Sequence, residues 1–307
     1  MEYSAGTLIS ERCRKESYGG NCKMSIKLAY SPCPNDTFAF HAMVHGLVDC
    51  EGLEFEVTLG DVEQLNQGAA KDAFDVCKMS YHAFFKMADK YKMLRSGSAL
   101  GYHNGPLLVT PEGSKLSALS GSELKSALSE CKIAIPGDMT TGALLLKIAF
   151  PEVRETTPVL FSEIADEVIS GNFDAGVLIH EGRFTYRERG LHLIMDLGEN
   201  WHNISALPVP LGGIAVSDRI EREIARKVGR VLKRSILFAI KNPGLSGEYV
   251  SCNAQEMDIE VQRKHIGLFV NENTLEIGIE GEKAVYELFK RLSLTDSKII
   301  YRDKLFI

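Results

Sequence analysis

No apolar run in this 307-residue chain approaches the length needed to cross a bilayer, so no membrane insertion is expected. No stretch holds five consecutive Lys or Arg, and the net charge is -6, which argues against nucleic acid as the main partner. An anionic ligand would therefore have to be drawn in locally, by a few cations or backbone N–H groups. Walker, G-x-G-x-x-G and G-x-S-x-G patterns are missing, which leaves nucleotide binding and serine-hydrolase chemistry without support. The seven cysteines are odd in number and show no C-x-x-C spacing. Free thiols in a reducing cytoplasm fit better than a disulfide framework or a structural zinc. His41 and His45 are four apart but lack an H-E-x-x-H pattern or a third ligand, so no metal is expected.

What is present is an ordinary globular composition, 45% hydrophobic and 25% charged, in a chain long enough for two cores. Residues 1–24 differ from the rest. They lack apolar periodicity and the h-region of a secretory signal. Two readings stay open there, a disordered extension or a start placed too early, with Met24 as the true one.

From residue 26 onward, strand and helix signals alternate, which points to α/β layering. Strands are expected at 26–30, 53–59, 73–78, 94–96 and 107–110, with helices at 38–47, 62–71 and 81–87. A second series runs from 111 to 211 and includes a wholly apolar strand at 175–179. A long amphipathic helix carries Ile220, Ile224, Val228, Leu232, Ile236 and Ile240 along one stripe, with Ser217 and Asp218 as its caps. Two strands that look like crossings, 107–110 and 211–216, bracket the middle series. The expected architecture is one lobe of residues 25–110 plus 212–307 and a second of 111–211. They are joined by a double hinge, with a ligand cleft between them.

The most informative string is Ser31-Pro32-Cys33-Pro34-Asn35-Asp36-Thr37, between a strand signal and an amphipathic run. Its prolines forbid continued sheet or helix around Cys33, and Asn35, Asp36 or Thr37 can cap the helix that follows. Such a stiff turn presents free N–H groups to an anion. Cys33 itself reads as a small packed side chain, because no histidine is placed by sequence to activate it. His180 follows the apolar strand 175–179, where a titratable group can move a proton into a cleft. Lys78 and Ser80 offer a cation and a hydroxyl to a carboxylate, or serve as a solvated lysine and a helix cap. Thr140, Thr141 and Gly142 open a helix after the Pro136-Gly137 turn. Arg95 and Arg183 are candidate counter-ions or lobe-packing ion pairs.

That string, together with Ile179-His180-Glu181-Gly182-Arg183-Phe184-Thr185-Tyr186, closely resembles the 1,4-dihydroxy-6-naphthoate synthases of the futalosine route to menaquinone. Further stretches match in order: Asp61-Val62-Glu63 with Leu65-Asn66, Lys78-Met79-Ser80-Tyr81, Leu94-Arg95-Ser96-Gly97, Gly105-Pro106-Leu107, Pro136-Gly137 with Thr140-Thr141, and 208–213. The resemblance implies the fold of type 2 periplasmic binding proteins. It also implies conversion of cyclic dehypoxanthine futalosine to 1,4-dihydroxy-6-naphthoate without a cofactor. It makes His180 the proton acceptor and puts Lys78, Met79, Ser80, Thr141 and Gly142 against the substrate. Gly182 departs from the pattern, which commonly has serine there, and Asp138 and Met139 also differ. The rival readings are chorismate dehydratase of the same route and a non-catalytic solute-binding protein.

Overall fold

The computed structural model describes residues 10–11, 24–255, 258–295 and 302–307. The expectation for residues 1–24 falls almost wholly outside these. Of that segment, only Ser10–Glu11 (β1) and Met24, the first residue of β2, are described.

Two sheets organise the chain. The first takes β2 (Met24–Tyr30), β3 (Leu53–Leu59), β4 (Val76–Ser80), β5 (Tyr91–Met93), β6 (Ala99–Gly101) and β12 (Val209–Ser217). Its order is β1-β3-β2-β4-β12-β5, with β6 also paired to β12. β2 runs parallel to both β3 and β4, whereas β12 returns antiparallel to β4. The second sheet takes β7 (Leu107–Pro111), β8 (Lys132–Ile135), β9 (Glu155–Pro158), β10 (Ala175–Leu178) and β11 (Leu191–Asp196), in the order β11-β7-β10-β8-β9. This is the expected α/β, two-lobe arrangement. The expected boundary after residue 110 cuts through β7, whose partners β10 and β11 all lie in the second sheet. The two connections between the sheets run through 102–106 and 197–208. Strand pairing, which the local sequence of β7 does not encode, decides this point.

Both connections are tightly packed. A Cβ on Gly105 would meet Gly198 backbone at 2.7 Å, so glycine is needed where one connection passes the other. Trp201, fully buried in the helix Leu197–Ser205, donates its indole N–H to Pro208 O at 3.0 Å. No described helix is long and apolar enough to cross a membrane.

Local chemistry explains most element ends. α1 spans Pro34–Val44, starting four residues before the expected helix, because Pro34 stands at a helix start, where a missing N–H costs nothing. Its cap position is Cys33, without a side-chain bond. Neither Asn35, Asp36 nor Thr37 caps it, since all three lie inside the helix. α2 (Val62–Ala70) opens with a capping box, Asp61 accepting from the Glu63 and Gln64 amides. α3 (Tyr81–Lys86) is capped by Ser80. The long helix spans Arg222–Lys241 with Glu221 at its cap, so the expected caps Ser217 and Asp218 fall short of it. Ser217 is the last residue of β12. No strand forms over the expected 94–96; the backbone there carries β5 just before and β6 just after.

Candidate functional site

The carboxyl ends of β4 and β10 and the start of α1 face one another across the lobes. The cavity between them is about 100 Å³, and Asn35, Asp36, Lys78, Met79, Ser80, Thr141, Gly142, His180, Arg183 and His265 are among its lining residues. The residues that the resemblance puts at the site, Lys78, Met79, Ser80, Thr141, Gly142 and His180, all line it. Lys78, Met79 and Ser80 come from β4, Thr141 and Gly142 from the first turn of the helix Thr141–Ala149, and His180 from the turn after β10.

The polar floor is an ion pair. Lys78 Nζ donates to Asp36 Oδ1 at 2.9 Å, with side chains only 10% and 4% exposed. Asp36 also accepts from Ser31 Oγ at 2.8 Å and from Asn35 Nδ2 at 2.9 Å. The lysine is therefore not solvated, and its charge is already matched. Arg183 is similarly committed, donating to Gly105 O at 2.6 Å and to Asp196 Oδ2 at 3.1 Å. Arg95 pairs with Glu282 away from the cavity. For both arginines the structure selects the packing ion pair over the ligand counter-ion.

The two expected hydroxyls close the cleft. Ser80 Oγ donates to Met139 O, and Thr141 Oγ1 donates to Leu211 O at 2.8 Å. Both bonds join a first-sheet segment to a second-sheet segment. Asn66, fully buried, accepts from the Ser80 amide and donates to Ser80 Oγ, both at 3.1 Å. His82 Nδ1 lies 3.1 Å from Thr140 O. Thr140, not Thr141, caps the helix, accepting from the Ala143 amide at 3.3 Å. Gly137 has φ +144°, and a Cβ there would strike the Glu63 carboxylate, so this loop presses closely on α2.

His180 holds the left-handed backbone region at φ +53°, uncommon for a residue with a Cβ and often found where a side chain is aimed for function. A Cβ on Gly182 would make only ordinary contact with Leu178, so the missing serine there does not reflect crowding. His180 Nδ1 lies 3.3 Å from Cys33 Sγ, on the opposite lobe. Its Nε2 is buried with no hydrogen-bond partner. Burial pushes the imidazole down to about 4; the Asp36 charge opposes this and Lys78 adds to it. The ring is thus neutral at physiological pH and able to accept a proton. Burial, then the Glu181 charge, holds the Cys33 thiol well above its ordinary value, so it stays protonated at the helix start. Cys33 is 3% exposed, in keeping with the packed-thiol reading. Sequence could not show, however, that a histidine 147 positions away contacts it. Cys33, His180 and Glu181 also bring three possible metal-ligating atoms within 4.8 Å of one another. A cation bound there would displace the thiol proton.

His265, Asn35 and Asp36 are the site residues that sequence reasoning did not assign. By sequence Asn35 and Asp36 are candidate helix caps. His265 sits on the helix Ile259–Phe269, whose buried positions are Gln262, His265 and Phe269. Polar side chains on the inward stripe were the available signal, since such positions are normally apolar.

The fold and this cleft define a two-lobe α/β protein of the periplasmic-binding-protein type, with a buried polar site where the lobes meet. A solved protein of Archaeoglobus fulgidus superposes with a TM-score of 0.80 at 33% identity, covering 90% of this chain and 98% of its own. A Candida albicans protein described as having the generic periplasmic binding protein fold gives 0.66 at 14% identity, covering 92% and 97%. Residues 26–293 match the family described as Menaquinone biosynthesis. A Thermus thermophilus relative named 1,4-dihydroxy-6-naphtoate synthase is 37% identical over 86% of this chain and 93% of its own. A Streptomyces coelicolor relative of the same name is 36% identical over 87% and 92%. The chain belongs to this menaquinone-biosynthesis family, and it is an enzyme of that route.

Proposed function

We propose that this enzyme converts cyclic dehypoxanthine futalosine to 1,4-dihydroxy-6-naphthoate with release of a three-carbon fragment, as a lyase that uses His180 as general base. The observation that carries this reading is the buried, partnerless Nε2 of a neutral imidazole in the interlobe cavity. The names of the two relatives supply the product, and the cyclic substrate is the one that the family resemblance implies.

An aromatic product places much of the driving force in the substrate. The protein then has two tasks, removing a carbon-bound proton and holding the oxygen that gains charge. His180 performs the first through Nε2. This requires the hydrogen on Nδ1, with Cys33 Sγ as its acceptor. Met79, Ser80, Thr141 and Gly142 position the substrate. The free N–H groups at the start of the helix Thr141–Ala149 suit an anionic substrate better than the two lining cations, both already paired. Closure of the lobes through the Ser80–Met139 and Thr141–Leu211 bonds excludes water.

Incubation of the purified protein with the cyclic substrate should yield the naphthoate on chromatography. No product, with dehydration of chorismate in a parallel incubation, would move the assignment to the earlier enzyme of the route. No turnover of either, with tight binding of one, would support a solute-binding role.

A further inference from the structure

A second imidazole faces the same cavity, and a chain of hydrogen bonds fixes its tautomer. The Asp36 carboxylate, paired with Lys78, can only accept. Asn35 must therefore turn its Nδ2 toward it, at 2.9 Å, which leaves Asn35 Oδ1 facing away. His265 Nε2 lies 2.9 Å from that oxygen and must be the donor. The neutral ring then carries its lone pair on Nδ1, and Nδ1 is buried with no partner. Phe269 packs at 4.9 Å between ring centroids, and the His180 ring lies 6.1 Å away, tilted by only 18°. The residue itself is 1% exposed. A buried acceptor left without a donor is costly, and such a group in a ligand cavity is commonly completed by the ligand.

We propose that His265 is a substrate-contacting residue whose Nδ1 accepts a hydrogen bond from an alcohol O–H of the ligand. It would thereby select a hydroxylated substrate over one lacking that group. The proposal deepens the functional reading above and rests on it. Burial, then the neighbouring His180, Lys78 and Arg183, holds the ring well below the ordinary histidine value, so it remains an acceptor through the working pH range. His265 and His180 would divide the labour. One holds a hydroxyl, and the other takes the carbon-bound proton.

The test uses the full-length enzyme and side chains that mimic one nitrogen at a time. His265→Gln can keep the bond to Asn35 but offers nothing at the Nδ1 place. His265→Asn can place an amide oxygen near the Nδ1 place and gives up Asn35. His265→Phe removes both. With the cyclic substrate, Phe and Gln should each lower kcat/KM by about ten- to hundred-fold, the loss for one buried hydrogen bond. His265→Asn should recover part of that loss. Nitrogen-15 spectra of the wild-type imidazoles should show His265 protonated at Nε2 alone. Full activity in His265→Phe overturns the proposal. So does full activity in Gln with a larger loss in Asn, which would make the residue a support for Asn35 only. An Nδ1–H tautomer in the free enzyme overturns it independently of any substrate. A wild-type enzyme that never turns the substrate over instead sinks the functional reading, and the substrate half of this proposal with it.

Discussion

Replacing Lys78 by methionine should destabilise the protein, although the lysine stands at the end of a strand and lines a ligand cavity. Methionine keeps most of the apolar stem and removes the charge. The Asp36 carboxylate would then remain 4% exposed without its cation. Breaking one side of a buried ion pair costs about 3–5 kcal/mol. Asp36 retains its bonds from Ser31 Oγ at 2.8 Å and Asn35 Nδ2 at 2.9 Å, which places the loss near the lower end, about 3 kcal/mol. At about 2 °C per kcal/mol for a chain of this size, the thermal midpoint should fall by about 6 °C. The double variant Lys78→Met/Asp36→Asn removes both charges and should regain most of the loss. The cycle should show a coupling of about 1.5 kcal/mol or more. Thermal unfolding followed by circular dichroism, with denaturant titration of all four proteins, supplies the numbers. A single variant within about 0.5 kcal/mol of wild type, or no coupling in the cycle, would refute the reasoning.

The remaining predictions concern the base, the thiols and the loop. His180→Ala should fold and lose about 10²–10⁴-fold in turnover. Because burial holds the imidazole at about 4, the acid limb of wild-type kcat/KM should lie well below pH 6.5, the ring accepting protons until pH falls toward that value. The same depressed value means that the folded state binds fewer protons than the unfolded one between about pH 6.5 and 4. The His180 contribution to stability is then present above that window and lost as pH falls through it, and His180→Phe should flatten this part of the stability profile. An acid limb at pH 6.5 or higher would count against His180 as the titrating base. With iodoacetamide near neutral pH, exposed Cys252 should react and Cys33 should not, as read by peptide mass; early labelling of Cys33 would contradict its buried, protonated state. Gly137→Ala should cost about 1–3 kcal/mol, because the residue holds φ +144° against the Glu63 carboxylate. An unchanged thermal midpoint would show that the loop can move away from α2.

Local sequence settled the elements whose signals are local. A short apolar run placed β2 and an alternating pattern β3, the Asp61 capping box started α2, and the proline pair made a stiff turn at Cys33. The ordered motifs also led to the family and to a cavity lined by Lys78, Met79, Ser80, Thr141, Gly142 and His180. Tertiary structure alone decided what those groups do to one another. β7 belongs to the second sheet because its ladder partners, residues 176–178 and 191–196, come later in the chain. Lys78 is an ion-pair partner because β4 brings it to α1, and the Ser80 and Thr141 hydroxyls are spent on carbonyls that only lobe closure delivers. Cys33 meets His180 across the cleft, and His265 reaches it from a helix 230 positions after Asn35. Charge pairing, burial and tautomer are properties of neighbours, and neighbours that distant in sequence are set by the fold.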